Sequence, residues 1–310
     1  MRVAIIGAGA VGGYYGARLA QADHDVTLIA RGANLDAIRD RGFCVRSGLG
    51  DFVVRVRVEA DPSNVGPVDL VVFAVKTYSN PEALPLVPRL VGEGTSVLTL
   101  QNGVDSADEL SSVIGPAPVL AGATYIASTL VAPGVVEHVG TVRRIVFGEA
   151  FGDRVVTDRV ARIQEALSGA GIQAEAAADS RIPIWEKFIF LAPIAGLTAA
   201  ARLPVGPAWA QAAFQEVFDQ AMAEVEALAH HAGVPVVADV RAQKMRYMDN
   251  SPKTMRSSMM VDITSGKPLE LEALMGTVVR RGRAAGIPTP VMATLYGLLK
   301  PFEHGSPVQP

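Results

Sequence analysis

The stretch "GAGAVG", residues 7–12, constrains this chain more than any other. It follows the apolar run "RVAII" directly and opens a segment, "GYYGARLA", of helical character. A GxGxxG pattern alone carries little weight, but between a strand and a helix it is the fingerprint of a dinucleotide-binding unit. Gly7 permits the tight turn, Gly9 lets the backbone approach a pyrophosphate, and Gly12 lets helix and strand pack closely. Ala8, Ala10 and Val11 supply the intervening backbone, and the phosphates sit at the positive end of the helix. A glycine-rich turn without a ligand is the plainer alternative.

The rest of the first half fits such a unit. "VTLIA" (26–30), "DLVVFAVK" (69–76) and "SVLTLQN" (96–102) are short apolar runs separated by helical or Gly/Pro-rich stretches. Continuous apolar strands alternating with helices imply a parallel sheet covered on both faces. "PVLAGATYIAS" and "EHVGTVRRIVFGEA" add strands, the second alternating as an edge hairpin does. After "GIQAEA" no strand pattern follows. "AAFQEVFDQAMAEVEALAHHAG" instead carries Phe214, Val217, Phe218, Ala221, Met222, Val225 and Leu228 at helical spacing, ended by Gly233. "LELEALMGTVVRRGRAAG" is a second helix, stopped by Gly286 and Pro288. The chain is therefore expected to be α/β, a mostly parallel, doubly wound Rossmann domain over residues 1–178 followed by an all-α domain over 179–310.

Composition narrows the class. At 310 residues, 49% apolar and 19% charged, the chain has room for a large core. A net charge of −3 with no basic block argues against nucleic acid as a partner. Cys44 stands alone, which suits a reducing compartment. The first twenty residues superficially resemble a signal peptide, but their glycines belong to the nucleotide loop. No other run approaches the ~18 uninterrupted apolar residues of a membrane span, so a cytoplasmic protein without a membrane partner is expected. The alanine-rich helical half permits a homodimer. His230 and His231 have no third ligand nearby in sequence, and no metal site is expected.

The second strand speaks to the cofactor. An NAD-preferring site has an acid about 20 residues after the glycines, for the ribose 2′-hydroxyl. This chain has Ala30 and then Arg31. A guanidinium clamps a 2′-phosphate through paired charge-assisted hydrogen bonds, so NADP(H) is the expected cofactor, with an ordinary loop arginine as the plainer reading. Lys76 and Asn102 stand at the carboxyl ends of two further strands, the edge where open parallel sheets bind ligands. Lys76 suits a phosphate or the substrate, and Asn102 the nicotinamide ribose or the substrate. Each also has a plainer reading, as a strand exit and as half of an Asn-Gly turn.

In "WEKFIFLAP" (185–193), Lys187 is set in an otherwise core-like run. A lysine desolvated by Phe188, Ile189 and Phe190 should have a lowered pKa, nearer the working pH of a proton donor. A neighbouring carboxylate would oppose that shift, so the sequence leaves its direction open. A helix-edge lysine with a buried stem is the alternative.

Together with "GAGAVGGYYGARLA", "TLIARG", "VKTY" and "QNGV", the segments "WEKFIFLAPIAGLTA" and "SSMMVDITSGKPLELEALMGTVVRRGRAAGIPTP" make nearly the whole chain resemble the ketopantoate reductases. The resemblance implies a Rossmann domain with a helical partner and hydride transfer from NADPH to a 2-keto acid, ketopantoate in that family. It implies that Lys187 is the general acid and that Asn102 contacts cofactor and substrate. Ser258 would bind the substrate carboxylate, and Glu270 would bridge lysine, substrate and cofactor. Taken without the resemblance, Glu270 is an acid in a helix's first turn.

The family places asparagines four and eight residues after the lysine, and another further on, to bind the polyol end of ketopantoate. Here those positions hold Leu191, Ala195 and, less securely aligned, Val205. A site built for a hydroxyl rejects analogues lacking it; alkyl replacements invert the preference, toward a branched or aromatic 2-keto acid. A register shift of one turn would offer Thr198 instead. An NADP-binding sensor without turnover is the competing class, and the presence of both Lys187 and Glu270 argues against it.

Overall fold

The computed structural model describes residues 1–307. The chain divides into two compact units, one of Met1–Gln101 with Ser106–Pro183 and one of Asn102–Asp105 with Ile184–Pro310. No sequence signal marks the exit of Asn102–Asp105 from the first unit.

Among the described residues, the first unit holds one ten-stranded sheet. Its strands are β1 (Arg2–Ile6), β2 (Asp25–Ile29), β3 (Phe43–Ser47), β4 (Phe52–Val54), β5 (Arg57–Glu59), β6 (Leu70–Phe73), β7 (Ser96–Thr99), β8 (Val119–Ala132), β9 (Val135–Glu149) and β10 (Gln173–Ala176). The order is β4-β3-β9-β8-β7-β6-β1-β2-β5, with β10 beside β9. From β5 to β7 through β2, β1 and β6, all pairings are parallel. This is the doubly wound arrangement expected from the sequence. Every residue of β6 and β7 is buried, which is why β6 is wholly apolar and β7 keeps its polar residues, Ser96 and Thr99, at its ends. The order of growth reverses between β1 and β6, and Ile6, Phe73 and Thr99 end their strands in register.

Several details differ from the sequence-based expectation. β6 and β7 stop at Phe73 and Thr99, so Lys76 and Asn102 lie in the loops beyond rather than in the strands. β9 is not an edge. It pairs antiparallel with β8 along its length, parallel with β3 over its first residues and parallel with β10 over 144–147. Its alternating start reflects one solvated face. β3, β4 and β5 carry no clear pattern in sequence because they are short and interrupted by Arg and Gly residues.

β4 and β5 are the two ends of the strand order, yet only Arg55 and Val56 separate them in the chain. Three Cα steps reach at most about 11 Å, so the sheet curls until its ends nearly meet. Register shifts in the β8–β9 pair, at Ile126/Ala127 and Leu130/Ala132, are bulges of the kind that bend strands. The curled sheet clasps helix α1 (Ala10–Gln21). On one flank a Cβ at Gly16 would meet Leu28 at 2.7 Å and Ile5 at 2.9 Å; on another, a Cβ at Gly13 would meet Phe43 at 2.3 Å. The Tyr15 hydroxyl shares a 2.6 Å hydrogen bond with Thr124, and the Arg18 guanidinium lies 5.8 Å from the Phe52 ring centroid.

From Ile184 on, the described residues form helices and no strands. The Ala212–His231 helix buries Phe218, Ala221, Met222, Val225 and Leu228, the stripe its sequence predicts. Thr277–Ala285 ends at left-handed Gly286. Among the described residues one helix, Arg181–Ala201, is long and apolar enough by composition to cross a membrane, though Glu186 and Lys187 interrupt its apolar run; 61% of its apolar stretch is buried inside the protein. Phe190 packs edge-on against Phe218 and Tyr247, so this helix is a core element of its unit.

Candidate active site

The glycine loop divides its work between packing and approach. Gly7 has φ +102°, and a Cβ there would sit 2.7 Å from the Val75 backbone nitrogen. A Cβ at Gly12 would lie 2.2 Å from the Gly7 carbonyl oxygen. Both glycines are required by the protein itself. At Gly9 a Cβ would meet nothing within 4 Å among the described residues, so packing does not demand glycine there. Gly9 starts α1 with no side-chain cap among the described residues and no acid in the first turn. Its N-terminal N–H groups and positive end therefore suit a phosphate. Ala8, Ala10 and Val11 supply the backbone between the glycines.

Two loops beyond β6 and β7 are tied together by Gln101, a side chain to which the sequence assigns no role. Gln101 is buried and donates from Nε2 to the Val75 carbonyl (2.9 Å) and to Asn80 Oδ1 (2.6 Å). Buried Asn80 in turn donates to Glu109. The segment carrying Lys76, which is half-buried at the start of a 3₁₀ turn, is fixed by this network. Arg31 ends the second βα turn, exposed and ion-paired with Glu82. No sequence signal connects these two residues, which lie 51 positions apart.

In the second unit the sequence-derived cluster is assembled. Lys187 Nζ donates to Asn102 Oδ1 at 3.0 Å, and Asn102 Nδ2 donates to Glu270 Oε2 at 3.3 Å. Only one orientation of the amide serves both, since an ammonium cannot accept and a carboxylate cannot donate. Glu270 is buried, just ahead of a π-helical turn over Glu272–Gly276. Lys187 as a residue is half-buried, but protein crowds its ammonium. Burial pulls its pKa down to about 8, with the Glu270 charge opposing the shift. The direction left open by the sequence is thus downward: desolvation outweighs the carboxylate.

Leu191 and Ala195 follow Lys187 at intervals of four along the Arg181–Ala201 helix, on one stripe. Leu191 is half-buried, whereas Ala195 is 1% exposed and packed in the core. Val205 is also buried. Thr198 donates to the Ile194 carbonyl (2.6 Å) and lies 2.7 Å from Ser257 Oγ. Its single hydroxyl proton is thereby used, so Ser257 must donate to Thr198 while accepting from the Met260 N–H (3.1 Å). Ser257 is a helix cap; neighbouring Ser258 is exposed at the first position of that helix.

The fold and these two clusters define a dinucleotide-fold oxidoreductase with a lysine-centred helical unit. A model of the family "Ketopantoate reductase PanE/ApbA" matches residues 3–152, and its C-terminal counterpart matches residues 180–303. A PanE/ApbA family ketopantoate reductase from Ralstonia eutropha JMP134 is 35% identical, with a TM-score of 0.89 and 98% of each chain covered. The 2-dehydropantoate 2-reductase structure from Geobacter metallireducens GS-15 is 32% identical with a TM-score of 0.91, covering 97% of this chain and 99% of that one. A 2-dehydropantoate 2-reductase of Mesorhizobium japonicum is 31% identical over 97% of each chain. The chain belongs to the ketopantoate reductase family. It is accordingly an oxidoreductase acting on CH–OH donors.

Proposed function

We propose that this protein reduces a 2-keto acid to a 2-hydroxy acid with NADPH, and that Lys187 supplies the proton. The observation that carries this is the Asn102 amide held between the Lys187 ammonium and the Glu270 carboxylate. When bound, the reduced nicotinamide supplies the hydride to the carbonyl carbon. Lys187 hydrogen-bonds the carbonyl oxygen, stabilises the negative charge that builds there and then gives up its proton, leaving a neutral amine. A pKa near 8 suits both halves of that role, because the group is charged at neutral pH yet releases its proton readily. The Glu270 charge favours the protonated form, and Asn102 fixes its direction.

The α1 N-terminus and Gly9 fit a pyrophosphate, and Arg31 fits a 2′-phosphate. The Arg31–Glu82 pair is exposed on both sides, and such pairs contribute only about 0–1 kcal/mol. A phosphate, matched to the guanidinium fork, replaces the carboxylate at little cost. Lys76 is assigned to the cofactor phosphates or substrate on its place beyond β6, and Ser258 to the substrate carboxylate. The lone Cys44, half-buried and unpaired in any disulfide, suits work in the cytoplasm.

The names of the relatives favour ketopantoate as substrate. Leu191 and the occupied Thr198 hydroxyl favour a less polar one, because neither offers a donor to a substrate hydroxyl. NADPH oxidation followed by absorbance with ketopantoate, 2-ketoisovalerate, phenylpyruvate and oxaloacetate decides both points. Turnover highest with 2-ketoisovalerate or phenylpyruvate is expected. Ketopantoate turned over faster than every apolar acid would refute the reading of Leu191. Tight NADPH binding without turnover of any acid would make the protein a sensor.

A further inference from the structure

Two segments of the second unit carry the Asn102–Lys187 pair, the loop Asn102–Asp105 and the Arg181–Ala201 helix, and one side chain outside the pair touches both. Asp105, three residues after Asn102, accepts from Arg281 Nε (2.9 Å) and Nη2 (2.5 Å) on Oδ1. Its Oδ2 accepts from the hydroxyl of fully buried Thr277 at 2.6 Å. The same Arg281 guanidinium lies 5.8 Å from the centroid of the Trp185 ring, two residues before Lys187. Trp185 is itself buried and set edge-on to Phe188. Gly103, at φ +101°, lets the loop come close: a Cβ there would stand 2.9 Å from the Ala273 carbonyl oxygen.

We propose that Arg281, clamped between Asp105 and Trp185, is the positioning residue that holds the Asn102 amide against the Lys187 ammonium. This rests on the reading of Lys187 as the proton donor. A planar guanidinium is suited to such a clamp, because its edge binds a carboxylate while its face packs on an aromatic ring. Asp105 and Arg281 offset each other's charge, so the clamp acts through geometry. Of the neighbouring charges, Arg280 also pairs with Asp105, at 3.9 Å, and donates to the Thr277 hydroxyl, but its closer partner is Glu272, whose other oxygen accepts from Lys300. Glu270 is the acid that faces Lys187. Loosening the clamp lets the 102–105 loop shift and water reach the ammonium, weakening the desolvation that dominates its pKa.

The test uses Asp105→Ala, Arg281→Ala and their combination in the full chain, with Arg281→Lys as the conservative variant. Because a displacement of about 1 Å can cost 10²-fold in rate, kcat should fall by up to about that factor in each single variant. The double variant should fall no further, since the two residues act as one unit. NADPH affinity should stay at the wild-type value, and Arg281→Lys should recover only part of the rate, lacking the fork. Independently of turnover, ¹³C-methylated Lys187 followed by NMR should titrate at higher pH in the double variant, which leaves neither charge unpaired, than in the wild type. Unchanged kcat in the folded single variants, or an unchanged Lys187 titration in the folded double variant, would overturn the proposal. If the wild type reduces no 2-keto acid, the functional reading fails, while the NMR titration still decides whether the clamp exists.

Discussion

At the start of α1 the groups suited to a ligand are main-chain N–H bonds, approachable at Gly9, where a Cβ would meet nothing, while Gly7 and Gly12 are glycines because the protein's own backbone leaves no room for a Cβ. Around Lys187 the groups are side-chain tips, brought together by segments far apart in sequence: Asn102 from a loop, Lys187 from a long helix, Glu270 from the lead into a π-helical turn. The first region is written in consecutive residues, and Gly7 and Gly12 among them leave no room for a Cβ. The second is assembled, and it depends on supports such as Asp105 and Arg281 that have no chemistry of their own. A backbone-built site is fragile at its own positions, whereas a side-chain-built site is fragile at a distance as well.

The largest effect expected on this contrast comes from Lys187→Ala. Loss of a general acid costs about 10²–10⁴-fold in kcat, and NADPH affinity measured by fluorescence titration should not change. Equal loss of both would mean that the two regions are not separable. Next comes alkaline pH. Reduction needs the protonated lysine, so the rate should hold below the pKa of about 8 and fall about tenfold for each further pH unit. A pH–rate profile flat to pH 10 would remove Lys187 from the proton's path.

Two glycine substitutions sharpen the other side. Gly12→Ala places a Cβ 2.2 Å from the Gly7 carbonyl and should destabilise the fold by about 1–3 kcal/mol, the usual cost of overpacking. Gly9→Ala meets no such neighbour, and its thermal midpoint should stay close to wild type. It should nevertheless weaken NADPH binding by roughly tenfold, about 1.4 kcal/mol. If Gly9→Ala instead lowers the melting temperature and leaves NADPH binding intact, the backbone-approach role is wrong. The smallest effect expected is that of Arg31→Ala, about tenfold or less on NADPH affinity for one charged hydrogen-bonding partner, with NADH affinity unchanged.

This contrast also explains what could be read from the sequence. The glycine loop, β1, β2 and the Ala212–His231 stripe are local patterns, and periodicity or spacing exposes them. A strand end draws attention to Asn102 and an apolar run to Lys187, while family resemblance alone brings in Glu270; no spacing reveals the contacts among the three. Asp105 and Arg281 lie 176 positions apart, so nothing local relates them. β3, β4 and β5 escape notice for a different reason. Short strands owe their existence to the partners they pair with, and "FVV" or "RVE" alone carries no preference that survives its neighbours.

The curling of the sheet around α1 has a consequence for the life of the protein before and between ligands. An open sheet of ten strands would ordinarily present two long rows of unpaired amides, which recruit strands from other chains. Here the terminal strands, β4 and β5, have three residues each and are neighbours in the chain. The tight Arg55–Val56 link leaves little room for a foreign strand at either end. The same curvature that clasps α1 is thus also a defence against aggregation, and substitutions that straighten the β8–β9 bulges should show first as insolubility.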